Sequence, residues 1–321
     1  MKGKSNFRII YTLTIVLALG TTASLQGVST YQRPPQAMLD ILNAPSAPTV
    51  SISPARDRIL LIEDVRHPSI ADLARPMLRL AGERINPNTN GPHQPRRIKG
   101  ISILKIADGS LASVALPAGT SLSNQTWSAD GKQVALLNTT GNAVELWILD
   151  VETAKLRKIP GVAINAAFGE PLQWMPDQRT LLVQMVPPGR GKAPAAPGVP
   201  QGPTIQENQG GKAPVWTFED LLKNKYDEML FDYYCTAQLG SVDVAGGKFT
   251  AIGKPGIFPM VDAAPDGKML LVARLNKPYS YLVTSNAFPR EVEVWNRAGA
   301  AIYKLASLPL QDVADQCRQT G

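Results

Sequence analysis

Apolar positions in this chain come in short runs bounded by turn residues, the patterning of strands rather than of long helices. One unit recurs four times, a polar turn followed by an apolar run. Its copies are SPARDRILLI (53–62), WSADGKQVALL (127–137), WMPDQRTLLV (174–183) and APDGKMLLV (264–272). A second unit is an alternating strand that ends in a polar turn: ISILKIADG (101–109), LWILDVET (146–153), LGSVDVAGG (239–247) and VEVWNRAG (292–299). Asp-Gly supplies the positive φ that a tight hairpin turn needs, so Asp130, Asp177 and Asp266 read as turn residues rather than ligands.

The first turn recurs after 47 residues between Ala129 and Pro176. The gaps on either side, 75 and 89 residues, each hold an insertion. Two hairpins per unit at a period of about 45 residues predict four-stranded propeller blades. The expected fold is therefore all-β, an incomplete β-propeller of about four blades of four-stranded antiparallel sheet, with a short helical insertion. Trp127, Trp147, Trp174 and Trp295 are expected to pack between blades.

The insertions fall at residues 66–99 and 187–235. The first holds seven basic residues against Asp72 and Glu83 and reads as a solvated loop. The second begins with seven Pro and six Gly among residues 187–214, a composition that predicts a flexible, disordered loop. From Thr217 the spacing of Phe218, Leu221, Leu222, Tyr226, Met229, Leu230 and Tyr233 predicts an amphipathic helix, with Thr217 and Asp220 as a capping box and the apolar stripe docked on the blade rims.

The amino terminus changes the picture of where the protein acts. Lys2, Lys4 and Arg8 precede the apolar run Ile9–Leu19 and the small residues 20–24. This layout predicts a signal peptide over 1–29 and a periplasmic or secreted protein; an uncleaved anchor is the alternative, and the one route to a membrane. Three of the seven excess positive charges lie in that segment. No basic stripe interleaved with aromatics remains, which argues against nucleic acid as a partner. Cys235 and Cys317 could pair in an oxidising compartment, but their separation fixes no geometry.

The sequence holds no Gly-x-Ser-x-Gly elbow, no His-Glu-x-x-His and no Gly-x-Gly-x-x-Gly. Gly189-Arg-Gly191-Lys192 lacks the preceding strand and following Ser or Thr of a phosphate loop. His67 and His93 sit in Pro-rich surroundings and read as exposed. Glu145, Asp150, Asp243 and Asp262 could line a channel and bind Ca²⁺, as in propeller lactonases, though nothing pairs them in sequence. No catalytic, cofactor-binding or metal residue is assigned.

Four stretches point to a family. They are YQRPPQAMLDILNAPSAPTVSISP (31–54), PSIADLARPMLRLAGERINPNTNGP (68–92), TFEDLLKNKYDEMLFDYY (217–234) and KPYSYLVTSNAFPREVEVWNRAG (277–299). Together they resemble the amino-terminal propeller of the prolyl oligopeptidase family of serine peptidases, in the subgroup of glutamyl endopeptidases. The resemblance runs over roughly residues 31–311. It implies a propeller that restricts access of peptide substrates to an α/β-hydrolase catalytic domain, with cleavage after glutamate and the Ser-Asp-His triad in that other domain. That domain would be missing or on a separate chain, so this chain is expected to be inactive alone. The tail 312–321 departs from the family pattern, as a frameshift or early stop would make it. An autonomous TolB-type propeller that binds protein partners is the competing reading.

Overall fold

In the computed structural model the described residues are 33–198 and 218–311. The segment expected to be a signal peptide, residues 199–217 of the second insertion, and the tail with Cys317 lie outside them. The chain divides into two compact units at Pro45/Ser46. In the first, helix α1 (Gln36–Asn43) begins immediately after Pro35, which needs no amide partner at a helix start.

The second unit is a succession of antiparallel meanders. Blade 1 opens with β1 (Thr49–Ile52) and β2 (Arg58–Asp64). An insertion follows, carrying a single-turn helix α2 (Ile70–Leu73) and a small sheet of β3 (Leu78–Leu80), β4 (Glu83–Asn86) and β5 (Gly91–Pro92). The blade closes with β6 (Ile98–Lys105) and β7 (Leu111–Ser113). Blade 2 comprises β8 (Leu122–Trp127), β9 (Gln133–Thr139), β10 (Val144–Asp150) and β11 (Lys155–Ile164). Blade 3 has β12 (Leu172–Trp174) and β13 (Thr180–Met185), then the helix α3 (Lys225–Cys235), then β14 (Gln238–Asp243) and β15 (Phe249–Ala251). Blade 4 is β16 (Met260–Ala263), β17 (Met269–Leu275), β18 (Arg290–Asn296) and β19 (Ala301–Leu308). The fold is thus four four-stranded propeller blades among the described residues, with a short helical insertion.

The repeated sequence turn is a repeated structure. In each blade the residue at the head of the turn donates its N–H to a carbonyl five positions on: Ser53 to Arg58, Ser128 to Gln133, Met175 to Thr180, Ala264 to Met269. Its own carbonyl accepts from the residue three on, Arg56, Gly131, Gln178 or Gly267, and all four have φ between 57° and 71°. The aspartates hold these turns by accepting backbone amides: Asp130 from Lys132, Asp177 from Arg179 and Thr180, Asp266 from Lys268. Their role is conformational, as the turn chemistry requires.

Apolar faces of consecutive blades close on one another. Leu60, Ile62 and Ile103 of blade 1 pack with Leu136 and Leu149 of blade 2. Leu146 and Ile148 of blade 2 meet Leu181 and Val183 of blade 3, and Leu182 and Leu239 meet Leu270 and Val272 of blade 4. The tryptophans seal these seams. Trp127 donates to Ser51 Oγ (2.9 Å) and Trp174 to the Thr126 carbonyl (2.9 Å), each reaching the preceding blade. Trp147 and Trp295 pack in the first and third seams, their indoles bonded to Glu145 and Glu293.

Candidate functional site

Strand direction sorts the connections into two sets. In a four-stranded antiparallel meander, the turns after strands one and three lie at one end. The links after strands two and four lie at the other. At the first end every connection is short. At the second end, three of the four links after strand two are long: 65–97, 186–237 and 276–289. Blade 2 alone turns there tightly, through Thr140–Ala143. Both insertions expected from the sequence, and a third over 276–289, therefore gather at a single end of the blades.

They build one core. Leu80, Ala81 and Ile85 of the first insertion pack with Leu222, Leu230 and Phe231 of the second and with Val283 and Phe288 of the third. Phe231 is fully buried, edge-on to Phe168, Tyr279 and Phe288 at 5.2–5.9 Å between centroids. Backbone bonds tie the insertions together: Gly82 N–H to the Asp220 carbonyl (3.0 Å) and Ser285 N–H to the Ala81 carbonyl (2.8 Å). Three of the stretches that carry the family resemblance thus meet in space, although up to about 200 positions separate them.

Helix α3 starts later than its apolar spacing suggests. Asn224 is the cap, accepting the Asp227 amide (2.9 Å), and Asp227 and Glu228 complement the positive end of the helix. Asp220 caps no helix among the described residues. With φ +57° it sits in a bend and takes the guanidinium of Arg84 (2.6 Å), with Arg79 at 3.5 Å. Ion pairing across the insertions outcompetes a helix start there, and Thr217 lies outside the described residues.

The first insertion is folded rather than a solvated loop. Arg75 and Arg97 converge on Asp72, and Arg96 pairs with Asp64. The described part of the Pro/Gly segment is likewise held. Arg190 lies over the Tyr233 ring (4.1 Å) and donates to Asn90 (2.5 Å), and Tyr233 donates to the Gly191 carbonyl (2.9 Å). Composition misses this because the partners come from β4–β5 and α3.

Beside the helix, Tyr279 donates to Asp232 (2.6 Å) and Tyr281 to Glu228 (2.7 Å), while Lys277 and Lys225 pair with the same two acids. Burial and then Asp232 hold the Tyr279 phenol far above its ordinary range. Burial and then Glu228 push Tyr281 up to about 12. Both phenols stay protonated donors at neutral pH. Cys235 is a buried thiol raised by burial and by the charges of Glu83 and Asp232, so it is neither thiolate nor nucleophile.

No acid–base constellation forms among the described residues. His67 is exposed as expected, but His93 is buried, because Gly91 to His93 form the edge of the inserted sheet and the His93 N–H bonds the Arg84 carbonyl (2.8 Å). Neither imidazole is hydrogen-bonded to a serine, cysteine or carboxylate among the described residues. The four acids considered for Ca²⁺ do not converge. Glu145 pairs with Lys158, Asp150 caps Thr153, Asp243 pairs with Arg179, and Asp262 accepts from Gln173. No cluster of three potential metal ligands exists among the described residues.

Glu83, half-buried on β4, faces Ser285 Oγ at 3.4 Å. Burial raises its pKa, and the Ser285 bond opposes the rise only in part. A raised acid stabilises the fold while protonated and loses that contribution as pH rises through the folded-state value. Glu83→Gln is therefore expected to raise the melting temperature at pH 7, with the gain vanishing as pH falls below the ordinary glutamate range. Melting curves of both proteins across pH check this; a gain independent of pH would contradict it.

No family model matches the chain. Among curated proteins, it is 38% identical over 300 residues to a probable chloroplastic glutamyl endopeptidase of Oryza sativa subsp. japonica, which covers 88% of this chain and 31% of the relative. The corresponding protein of Arabidopsis thaliana is 38% identical over 298 residues, 88% of this chain and 30% of the relative. The chain thus spans about a third of the length of the curated relatives it matches. Among solved structures, Pyrococcus horikoshii acylaminoacyl peptidase aligns at 16% identity and a TM-score of 0.43, over 81% of this chain and 32% of that one. On the strength of the sequence identity, this chain is a homologue of part of the glutamyl endopeptidases of the prolyl oligopeptidase family.

Proposed function

We propose that this chain is the non-catalytic, substrate-gating propeller portion of an exported serine peptidase that cleaves after glutamate. The reading rests on the gathering of three family stretches into one folded end of the blades, where a second domain would be met by built structure rather than by bare turns. An α/β-hydrolase domain is the partner, peptides are the substrates, and the chain works in the periplasm or outside the cell. The residues described here position that partner and do no chemistry of their own.

The mature chain, purified alone, is expected to release nothing from a blocked Glu-containing peptide. Mixed with the separately expressed hydrolase domain of a full-length relative, it is expected to slow digestion of a folded protein more than cleavage of the short peptide. Hydrolysis by the chain alone that a serine-directed inhibitor abolishes would sink the non-catalytic assignment. Equal effects on the two substrates would sink the gating role.

A further inference from the structure

Next to the folded insertions, an open cleft of about 520 Å³ lies between β5, β8 and the link from blade 2 to blade 3. Its apolar lining comes from Pro92, Leu137, Val144, Ala166 and Pro171. Its polar lining includes Ser123, Asn124 and Gln125 of β8, and Arg96. That volume falls within the range of sites that bury small ligands, about 300–1,000 Å³.

Strand β8 is distorted here. Its pairing with β9 shifts register between Ser123 and Thr126, and Asn124 has φ +54° inside the strand. A bulge of this kind re-aims a side chain at the expense of ladder hydrogen bonds. Asn124 is exposed, and neither its carboxamide nor that of Gln125 has a hydrogen-bond partner among the described residues. In the insertions, Asn90 bonds Asn165 and Arg84 bonds Asp220, while Thr89 Oγ1 and His93 Nδ1 are buried without a hydrogen-bond partner among the described residues. The one charged group lining the cleft is Arg96, and Asp64 already offsets it, with a further bond from Arg96 to Thr49 Oγ1 (2.6 Å).

We propose that this cleft binds an extended, uncharged peptide segment through its backbone. A carboxamide offers one donor and one acceptor in a plane, which matches a peptide group in both directions. An anionic ligand would find only a guanidinium that is already paired. The prolines and aliphatic residues of the lining suit the small apolar side chains of such a segment. This goes beyond the gating role: it concerns equilibrium binding by this chain, and hydrolysis is not involved.

The test is calorimetric titration of the mature chain with acetyl-Ala-Leu-Pro-Ala-amide, and with the same peptide methylated on its backbone nitrogens. Saturable binding of the first is expected, with Asn124→Gly and Gln125→Ala each weakening it about tenfold and backbone methylation abolishing it. Asn124→Gly removes only the side chain at a backbone conformation glycine accepts freely, so its melting temperature is expected to be unchanged or higher. It therefore decides the matter even if Gln125→Ala folds poorly. No saturable binding by the unaltered chain, equal binding by Asn124→Gly, or equal binding of the methylated peptide would each overturn the proposal. None of these results would touch the gating experiment, which reads digestion rates.

Discussion

Phe231→Ala is expected to lower the stability of the blade unit by about 3–5 kcal/mol, the usual cost of emptying a large buried aromatic site. The ring is fully buried and sits where the three insertions meet, with Phe168, Tyr279 and Phe288 against its edges and faces. The edge-on contacts each contribute about 0.5–1.5 kcal/mol beyond area burial, and all three vanish together. The neighbours cannot collapse into the void, because Tyr279 is held by Asp232 and Phe288 by its stack on Tyr279 at 5.0 Å. The urea midpoint measures the loss, and Phe231→Leu, which leaves a smaller void, should fall between. A loss below about 1 kcal/mol, far short of the usual cost of such a void, would mean that the inserted core folds independently of the blades.

Asn165→Ala is expected to cost about 3 kcal/mol, because it strands several buried polar groups at once. Asn165 follows the last strand of blade 2 and is 1% exposed. Its amide donates to the carbonyls of Tyr234 (3.0 Å) and Thr236 (2.8 Å), just where helix α3 ends. Its oxygen accepts from Asn90 (2.6 Å) and from the Ala167 N–H (3.1 Å). One side chain thus fastens a blade, the first insertion and the helix of the second. Removal leaves the buried Ala167 amide and the half-buried Thr236 carbonyl without this partner. Limited proteolysis should then cut around α3 while the blades persist, and the denaturation midpoint should fall. Unchanged cleavage with an unchanged midpoint would show that water replaces the amide. Asn165→Asp is expected to be worse at neutral pH, because a carboxylate cannot donate to two carbonyls, and to recover as acid protonates it.

The blades were legible from local chemistry. Four copies of a turn that needs a left-handed residue, each followed by an apolar run, specify hairpins whatever surrounds them, and the seam tryptophans follow from the same periodicity. The insertions were legible only in part. The stripe from Phe218 to Tyr233 announces a helix, but its start at Asn224 depends on Asp220 being drawn to Arg84, a residue more than 130 positions away. His93 looked exposed because its neighbours in sequence are prolines and polar residues, whereas the inserted sheet buries it; the basic residues of 66–99 stay largely at the surface, but Arg84 and Arg79 meet there an acid, Asp220, from the second insertion. The described part of the seven-proline segment shows the same limit, since Arg190 is held by Tyr233 and Asn90, far from it in sequence.

By itself, then, the sequence determined the hairpin repeat, the four-stranded unit and the likeness to a peptidase family, because turns and strand periodicity are set within ten residues or so. Only the tertiary structure decided that the three insertions form one core at one end of the blades, that Cys235 and His93 are buried, and that Asn124 and Gln125 face an open cleft with free amides. The physical reason is that burial, ion pairing and polar satisfaction depend on which chain segments meet. In an antiparallel meander that is settled by strand direction and blade order, over separations that no local pattern records.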